Sequence, residues 1–395
     1  MGLIFSKLGW RSATDKNTAA QAEPEKKVYS WDLRPSEDAQ NLQFSNKADE
    51  VLVKLPGSIN GKPFNIVNLN SCRVFLLDNM ATINIDNCSN CAIFIGPTNQ
   101  SVFIRDSTAC NFIVSCQQFR MRDCSKVNVL LHCTSQPIIE SSSKIKFACF
   151  QFYYEALQDQ LQSASLSPYL NYWSNIYDFS PNSDSSNPNH GYLSDEKITE
   201  CLDFFDVSKL DADTLPDGLD PEILKLDLKR SCIPKTKNHA LTKSQPALGQ
   251  NCLLVVLPFG ERNEVLLRIM DRIQKTKDEN KSNDIELAQS VESTLMTQDE
   301  LDRLLNIPAL ALNASKVSGG DAEISTKRTQ LNFVNKIKSR GKVIALLFSG
   351  QSSEQIVTDL ISKEEQLKSY CFMSQGQVAD AQFEQLQNYM QMQFH

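Results

Sequence analysis

Residues 85–96 read IDNCSNCAIFIG, and the same outline returns at residues 104–115 as IRDSTACNFIVS. Upstream it is IVNLNSCRVFLL from Ile66; downstream it is MRDCSKVNVLLH from Met121 and IESSSKIKFACF from Ile139. The five starts are 19, 19, 17 and 18 residues apart. Each block opens on an aliphatic or methionine side chain, passes through an Asn/Asp/Ser/Cys corner and ends in a short apolar run. A unit of this length cannot bury itself, so a sustained period of this size indicates a solenoid whose coils bury one another. Short apolar runs divided by polar corners make a parallel β-helix the expected form.

Stacking the blocks turns sequence positions into columns. The seventh column is Cys72, Cys91, Cys110, Val127 and Ile145, so cysteine alternates with aliphatic residues, as a small buried hydrophobe does. Cys88 and Cys91 form a CxxC pair. A zinc site wants a second pair or histidines at ligand spacing, and none follows, so core packing and no metal are expected. There are 12 cysteines in all. No secretory leader is visible, so a reducing compartment and free thiols are expected.

The second column is Val67, Asp86, Arg105, Arg122 and Glu140, with neighbouring coils about 4.8 Å apart. Asp86 falls beside Arg105 and Arg122 beside Glu140, an arrangement that cross-strand pairing favours by a few tenths to about 1 kcal/mol. Residues 116–124, CQQFRMRDC, continue the strand pattern: Phe119 and Met121 point inward, while Gln118, Arg120 and Arg122 point outward. Arg120 has Phe103 and Ile138 as column neighbours and no carboxylate there. Cross-coil pairing accounts for Arg122 and leaves Arg120 unexplained.

The chain has 395 residues and a net charge of -7 with a pI near 5.3. That length suggests two or three domains. The acidic balance argues against a general nucleic-acid binder, whose affinity comes from cations meeting phosphates. No run approaches the ~18 apolar residues that span a bilayer, and a soluble, intracellular protein is expected. Residues 1–28 are expected to be disordered. Their start, MGLIFS, fits the myristoylation pattern, with Gly2 as acceptor and Ser6 in the required place; Gly2 would give a membrane-surface contact. Residues 29–181 are expected to hold the solenoid, with the helix in QFYYEALQDQLQ closing its open end. Residues 182–250 read as linker. A second domain over 251–395 alternates strands (CLLVVLPF, KVIALLFSG) with helices (ERNEVLLRIMDRIQKTKD, TQDELDRLLN, SSEQIVTDLIS), which implies an α/β or α+β sandwich with an inserted loop at 312–335 and a Gln-rich terminal helix.

The repeat, CQQFRMRDC, TSQPIIESSSKIKFACFQFYYEAL from Thr134, WSNIYDF from Trp173 and the leading MG with FSK together resemble the family that shares its β-helix with tubulin-folding cofactor C. The resemblance runs from about Tyr29 to Pro181. From 250 onward the chain resembles a nucleoside-diphosphate-kinase-like domain. The implied fold class is mainly β plus α/β: a right-handed parallel β-helix, then a nucleoside-diphosphate-kinase-like (ferredoxin-like) domain. The implied function is that of a GTPase-activating protein for an Arf-like small GTPase of the Arf-like 3 type, which releases lipidated cargo at cilia. Arg120 matches the family's arginine finger and Gln117 its glutamine. Arg122 matches a second interface arginine, and Glu140 and Phe179 match positions that support or contact the GTPase. No cofactor of its own is implied, since the partner carries GTP and Mg. Residence at the cytoplasmic face of the plasma membrane, the ciliary base or cilium, and the cytoplasm is implied as well.

Two departures limit the resemblance. Leu3 stands where the family's second acyl site is usually cysteine, and the only histidine after residue 250 is His395, so phosphate relay through a kinase-type histidine is not expected. Two rivals stand beside the activator reading. One is a non-catalytic effector or scaffold of the GTP-bound GTPase, which has no need of an unpaired Arg120 near Gln117. The other is a tubulin-folding factor, expected to carry an N-terminal helical domain where only about thirty residues precede Tyr29.

Overall fold

The computed structural model describes residues 41–184, 186–209, 216, 226–228, 230–236, 251–256, 266, 269–270, 285–294, 342–350, 352–364 and 371–392. Gly2 and its acylation signal, the helix expected over 297–306 and the insertion at 312–335 lie outside the described residues.

The repeat folds as expected. Its strands are β1 (Gln43–Ala48), β2 (Val51–Lys54), β3 (Phe64–Asn70), β4 (Arg73–Leu76), β5 (Ile83–Asp86), β6 (Ala92–Arg105), β7 (Asn111–Arg122), β8 (Asn128–Cys133), β9 (Ile138–Glu140) and β10 (Ile145–Cys149). All pair in parallel, coil on coil, with β11 (Tyr177–Asp178) on β9 and β12 (His190–Tyr192) on β10. Strands β6 and β7 are long because each runs through a corner that the other coils break.

One corner sets the register. In six successive coils two residues, three apart, take the left-handed conformation: Asn46 and Asp49, Asn68 and Ser71, Asn87 and Asn90, Asp106 and Ala109, Asp123 and Lys126, Ser141 and Lys144. Asn and Asp tolerate this region better than other non-glycine residues. Their side chains also stack, with Asn87 Nδ2 donating to Asn68 Oδ1 at 2.8 Å and Asn68 Nδ2 to Asn46 Oδ1 at 2.9 Å. Backbone N–H groups at the corner donate to the next coil, as Asp106 does to the Arg122 carbonyl at 3.2 Å and Ala109 to that of Ser125 at 3.1 Å.

The cysteines lie in the core. Those of the solenoid are buried, and Cys91 and Cys110 donate to the carbonyls of Ser89 and Thr108 at 3.2 and 3.3 Å. A thiol thus fills the corner and weakly satisfies a carbonyl two residues back. One column alternates Cys88, Ser107, Cys124 and Ser142. Ser107 Oγ accepts from Cys88 N at 3.2 Å and Ser142 Oγ from Cys124 N at 3.1 Å, tying coil to coil. Gly96, which ends the IFIG run, has a close neighbour: a Cβ there would sit 2.3 Å from the Asp78 carbonyl oxygen.

Two expectations need correction. Helix α1 (Leu157–Ser163) does not close the open end of the solenoid. It lies along a flank, where Leu157 and Leu161 join a cluster with the outward side chains Phe75, Phe94, Ile113 and Leu130. The cause is legible in the runs RVFLL, IFIG and FIVS, which do not alternate because both of their faces are covered. The end is instead covered by the return segment, where Trp173 packs edge-on against Tyr192 and donates to Thr236 Oγ1 at 2.9 Å. Nor is the whole of 182–250 a linker. Strand β12 extends the sheet, and helix α2 (Asp195–Asp203), opened by Ser194 as its cap, sends Cys201 and Leu202 into the flank cluster with Phe205, Cys232 and Ile233.

The second region is a smaller α/β unit. Strands β13 (Asn251–Val256), β14 (Glu286–Thr294), β15 (Lys342–Ser349) and β16 (Cys371–Gln375) form an antiparallel sheet in the order β14-β15-β13-β16. Helix α3 (Ser353–Ser362) packs Val357 and Ile361 with Leu254, Leu346 and Phe348. The expected terminal helix is α4 (Gly376–Met392), with Ala379, Phe383 and Leu386 buried. Strands β14 and β16 escape the alternation test because their polar residues, as in ELAQSVEST, belong to the two edges of the sheet.

Two outcomes follow for stability. Ala109 holds φ near 53° without a side chain that favours it, so Ala109→Gly should raise the unfolding free energy by roughly 1 kcal/mol, read from urea midpoints. Buried His132, with Ser115 Oγ 2.8 Å from its Nδ1 and the Ser167 carbonyl oxygen 3.0 Å from its Nε2, is held neutral by desolvation, its pKa pushed from 6.5 down to about 4. Below the unfolded value the unfolded chain binds the proton first, so this contribution is complete above pH 6.5 and is lost as pH falls toward 4. The stability difference between wild type and His132→Gln should therefore shrink by roughly 3 kcal/mol between pH 7 and pH 4, a change that urea titrations at both pH values measure.

Candidate functional site

The outward residues of the second half of β7 form the candidate site. Phe119 and Met121 are buried, while Gln118, Arg120 and Arg122 are exposed, so the alternation read from CQQFRMRDC holds. The columns are those expected: Phe103, Arg120 and Ile138 are register partners, as are Asp86, Arg105, Arg122 and Glu140. Strand β11 adds a further rung that the repeat alignment did not contain. Tyr177 pairs with Ile138, and the N–H of Phe179 donates to the Ile139 carbonyl at 2.9 Å.

Three arginines share this face and differ in what holds them. Arg105 is clamped by Asp86, Nε to Oδ1 at 2.6 Å and Nη2 to Oδ2 at 2.9 Å. Arg122 turns to its chain neighbour, Nε to Asp123 Oδ2 at 3.1 Å. It does not bond Glu140, so the pairing expected across the coils is replaced by a local one at the left-handed corner. Both ends of the Arg122 pair are about half exposed, and such pairs contribute roughly 0–1 kcal/mol. Among the described residues Glu140 has no cation within ion-pair distance. Arg120 has no carboxylate either; its Cζ lies 5.7 Å from the centroid of the Phe103 ring.

Gln117 sits at a corner, where the register between β6 and β7 shifts. Its carbonyl accepts from Ser135 Oγ at 2.8 Å, and its side chain, half-buried, makes no hydrogen bond to Arg120. On the arginine face the neighbouring glutamine is Gln118, whose Oε1 accepts from Ser101 Oγ at 3.1 Å. Phe179 is 60% exposed and Tyr177 48%, and their rings meet edge-to-face at 4.8 Å. Large exposed aromatics of this kind are unusual on a solvated surface and are enriched at interfaces. Tyr177 and Phe103 are the residues that sequence reasoning undervalued. Phe103 was visible as a column neighbour; Tyr177 was hidden by the long excursion between Glu140 and the last rung.

The assembled face carries two exposed guanidinium groups, a carboxylate that is unpaired among the described residues and an aromatic pair on a rigid sheet. Among the described residues no group of His, Cys, Asp and Glu is placed to hold a metal. Such a face suits contact with another macromolecule, on which its charges act. In the second region the described residues contain no histidine, and His395 lies outside them.

A family profile described as Tubulin binding cofactor C matches residues 61–179. Protein XRP2 of Homo sapiens is 40% identical over 182 residues, covering 46% of this chain and 51% of that protein. Protein XRP2 of Xenopus laevis is 36% identical over 258 residues, 65% of this chain and 69% of that protein. Tubulin-specific chaperone C of Homo sapiens is 30% identical over 155 residues, 39% of this chain and 45% of that protein. The chain thus spans about half the length of the human XRP2 it matches. With its repeat, its cofactor C domain and this extent of identity, the chain belongs to the XRP2 family.

Proposed function

We propose that the face around Arg120 is a GTPase-activating surface for an Arf-like small GTPase of the Arf-like 3 type, with Arg120 as the arginine finger. The observation that carries this reading is the contrast among the arginines. Arg105 and Arg122 are each met by a carboxylate, whereas Arg120 is exposed and among the described residues meets no carboxylate, with Phe103 and Ile138 beside it in its column. Attack of water on a γ-phosphate develops negative charge on the phosphoryl oxygens and the leaving group, and a guanidinium delivered in trans is worth roughly 10³ to 10⁵ in rate. A solenoid strand held on both sides delivers it with little freedom to lose. GTP and Mg belong to the partner; this chain adds no cofactor.

The remaining residues take supporting roles. Arg122, Glu140 and Phe179 contact the GTPase, Glu140 through a carboxylate that none of the described residues of its own chain engages. Gln117 bears on the catalytic step from the corner beside the strand, with its side chain turning toward the partner or toward Arg120 on binding. Myristoylated Gly2 gives one lipid contact with the cytoplasmic face of a membrane; a single acyl chain binds marginally, and Leu3 offers no second site. On this reading the protein moves between the cytoplasm, the plasma membrane and the ciliary base and serves the traffic of lipidated proteins, as the family resemblance implies. The second region is a nucleoside-diphosphate-kinase-like domain without kinase chemistry, since that relay requires an internal histidine. The similarity to tubulin-specific chaperone C makes tubulin the alternative partner.

In single-turnover hydrolysis with the GTP-loaded GTPase, Arg120→Ala should lower the stimulated rate by at least roughly 10³ and change affinity by less than about tenfold, because the guanidinium acts on charge present only in the transition state. Arg120→Lys should remain poor, since an ammonium does not reproduce the planar fork. Wild-type hydrolysis by Arg120→Ala at saturating protein would leave a scaffold in place of an activator.

A second set separates binding from chemistry. Glu140→Ala, Arg122→Ala and Phe179→Ala should each weaken association by about 1–3 kcal/mol in calorimetry while leaving the rate at saturation nearly unchanged. A loss of saturated rate with intact affinity would assign these residues to the chemical step instead.

A further inference from the structure

We propose that Phe103 is the positioning residue of Arg120, its ring holding the guanidinium in place before the partner arrives. The inference rests on the GTPase-activating reading of this face. Phe103 points outward from β6, between the buried side chains of Val102 and Ile104, so the core does not need an aromatic ring there. The column it belongs to changes character at this rung. Asn65 and Asn84 precede it as a hydrogen-bonded amide pair, Asn84 Nδ2 to Asn65 Oδ1 at 3.2 Å, and the next coil then presents phenylalanine directly beside Arg120. On the other side of Arg120 the neighbour is Ile138.

Arg120 is therefore walled by two apolar side chains and faces no carboxylate within its column. An acidic neighbour would hold the group more strongly, but it would also neutralise the charge that the transition state requires, as Asp86 does for Arg105. The face of a ring attracts the cation, leaves its charge available and costs no hydrogen-bond donor. With the Cζ 5.7 Å from the ring centroid, the contact is a loose guide, which suits a group that must shift onto phosphate oxygens when the complex forms. Ordering a long side chain in advance removes part of the entropy that binding or catalysis would otherwise lose.

The test compares Phe103→Leu, which keeps apolar bulk and removes the π face, with Phe103→Tyr, which keeps both. With a GTP-loaded Arf-like 3-type GTPase, Phe103→Leu should lower the saturated hydrolysis rate about three- to tenfold, with affinity changed less than about twofold, and Phe103→Tyr should stay within about twofold of wild type. The same full-length variants give a readout independent of hydrolysis. In ¹H–¹⁵N spectra the Arg120 Nε–Hε resonance, identified as the one missing from Arg120→Lys, should shift in Phe103→Leu and remain near its place in Phe103→Tyr. A resonance unmoved by Phe103→Leu, or a rate for Phe103→Tyr as low as that for Phe103→Leu, overturns the proposal. Should Arg120→Ala hydrolyse like the wild type, the finger reading fails, and the resonance alone decides whether Phe103 positions Arg120.

Discussion

A parallel solenoid holds its columns only if every coil meets the next at the same height, and here one corner sets that height. Two residues per coil, three apart, adopt the left-handed conformation through six coils, from Asn46 and Asp49 to Ser141 and Lys144. Each such pair turns the chain by the same amount and points its N–H groups at the next coil. A one-residue slip would turn every core side chain outward. The Asn and Asp residues that tolerate this conformation are thus the reason that Phe103, Arg120 and Ile138, 17 and 18 positions apart in the chain, stand side by side on a common face.

The candidate site depends on that register and on which charges the register leaves alone. Asp86 meets Arg105 because the coils place them one rung apart. The same rule places Glu140 beside Arg122, yet Arg122 takes the closer carboxylate of Asp123. Exposed pairs of this strength are nearly interchangeable, so local geometry decides between them. The result is a face on which, among the described residues, one carboxylate and one guanidinium are left without a counter-charge, with Tyr177 and Phe179 beside them. Rigidity comes from the core beneath, where Phe119 and Met121 anchor the strand, as Phe112 anchors its first half.

The second region is held by different means. Its sheet is antiparallel, with β13 and β15 at the centre, and their apolar side chains are covered by α3 and by the helical residues Leu266 and Ile269. Helix α4 is fastened by side chains: Asn251 Nδ2 donates to Asp380 Oδ1 at 2.6 Å and Gln387 Nε2 to Gln289 Oε1 at 2.9 Å, which explains how a glutamine-rich segment docks on a sheet.

By itself the sequence determined the solenoid, its coil boundaries, the columns and the singular position of Arg120, because a period near eighteen and the inward–outward alternation of stretches such as 118–122 are local properties of the chain. The two central strands of the second sheet were legible for the same reason: NCLLVV and KVIALLFS are continuous apolar runs. Tertiary structure alone decided the rest. Helix α1 lies on the flank because the outward residues Phe75, Phe94 and Ile113 need cover, a demand made by five coils together and by no single segment. The rung bearing Tyr177 and Phe179 returns to the face after an excursion whose length the period cannot measure. Whether Arg122 bonds Glu140 or Asp123 was settled by a side-chain choice between two carboxylates within reach, for which sequence spacing carries no energy difference.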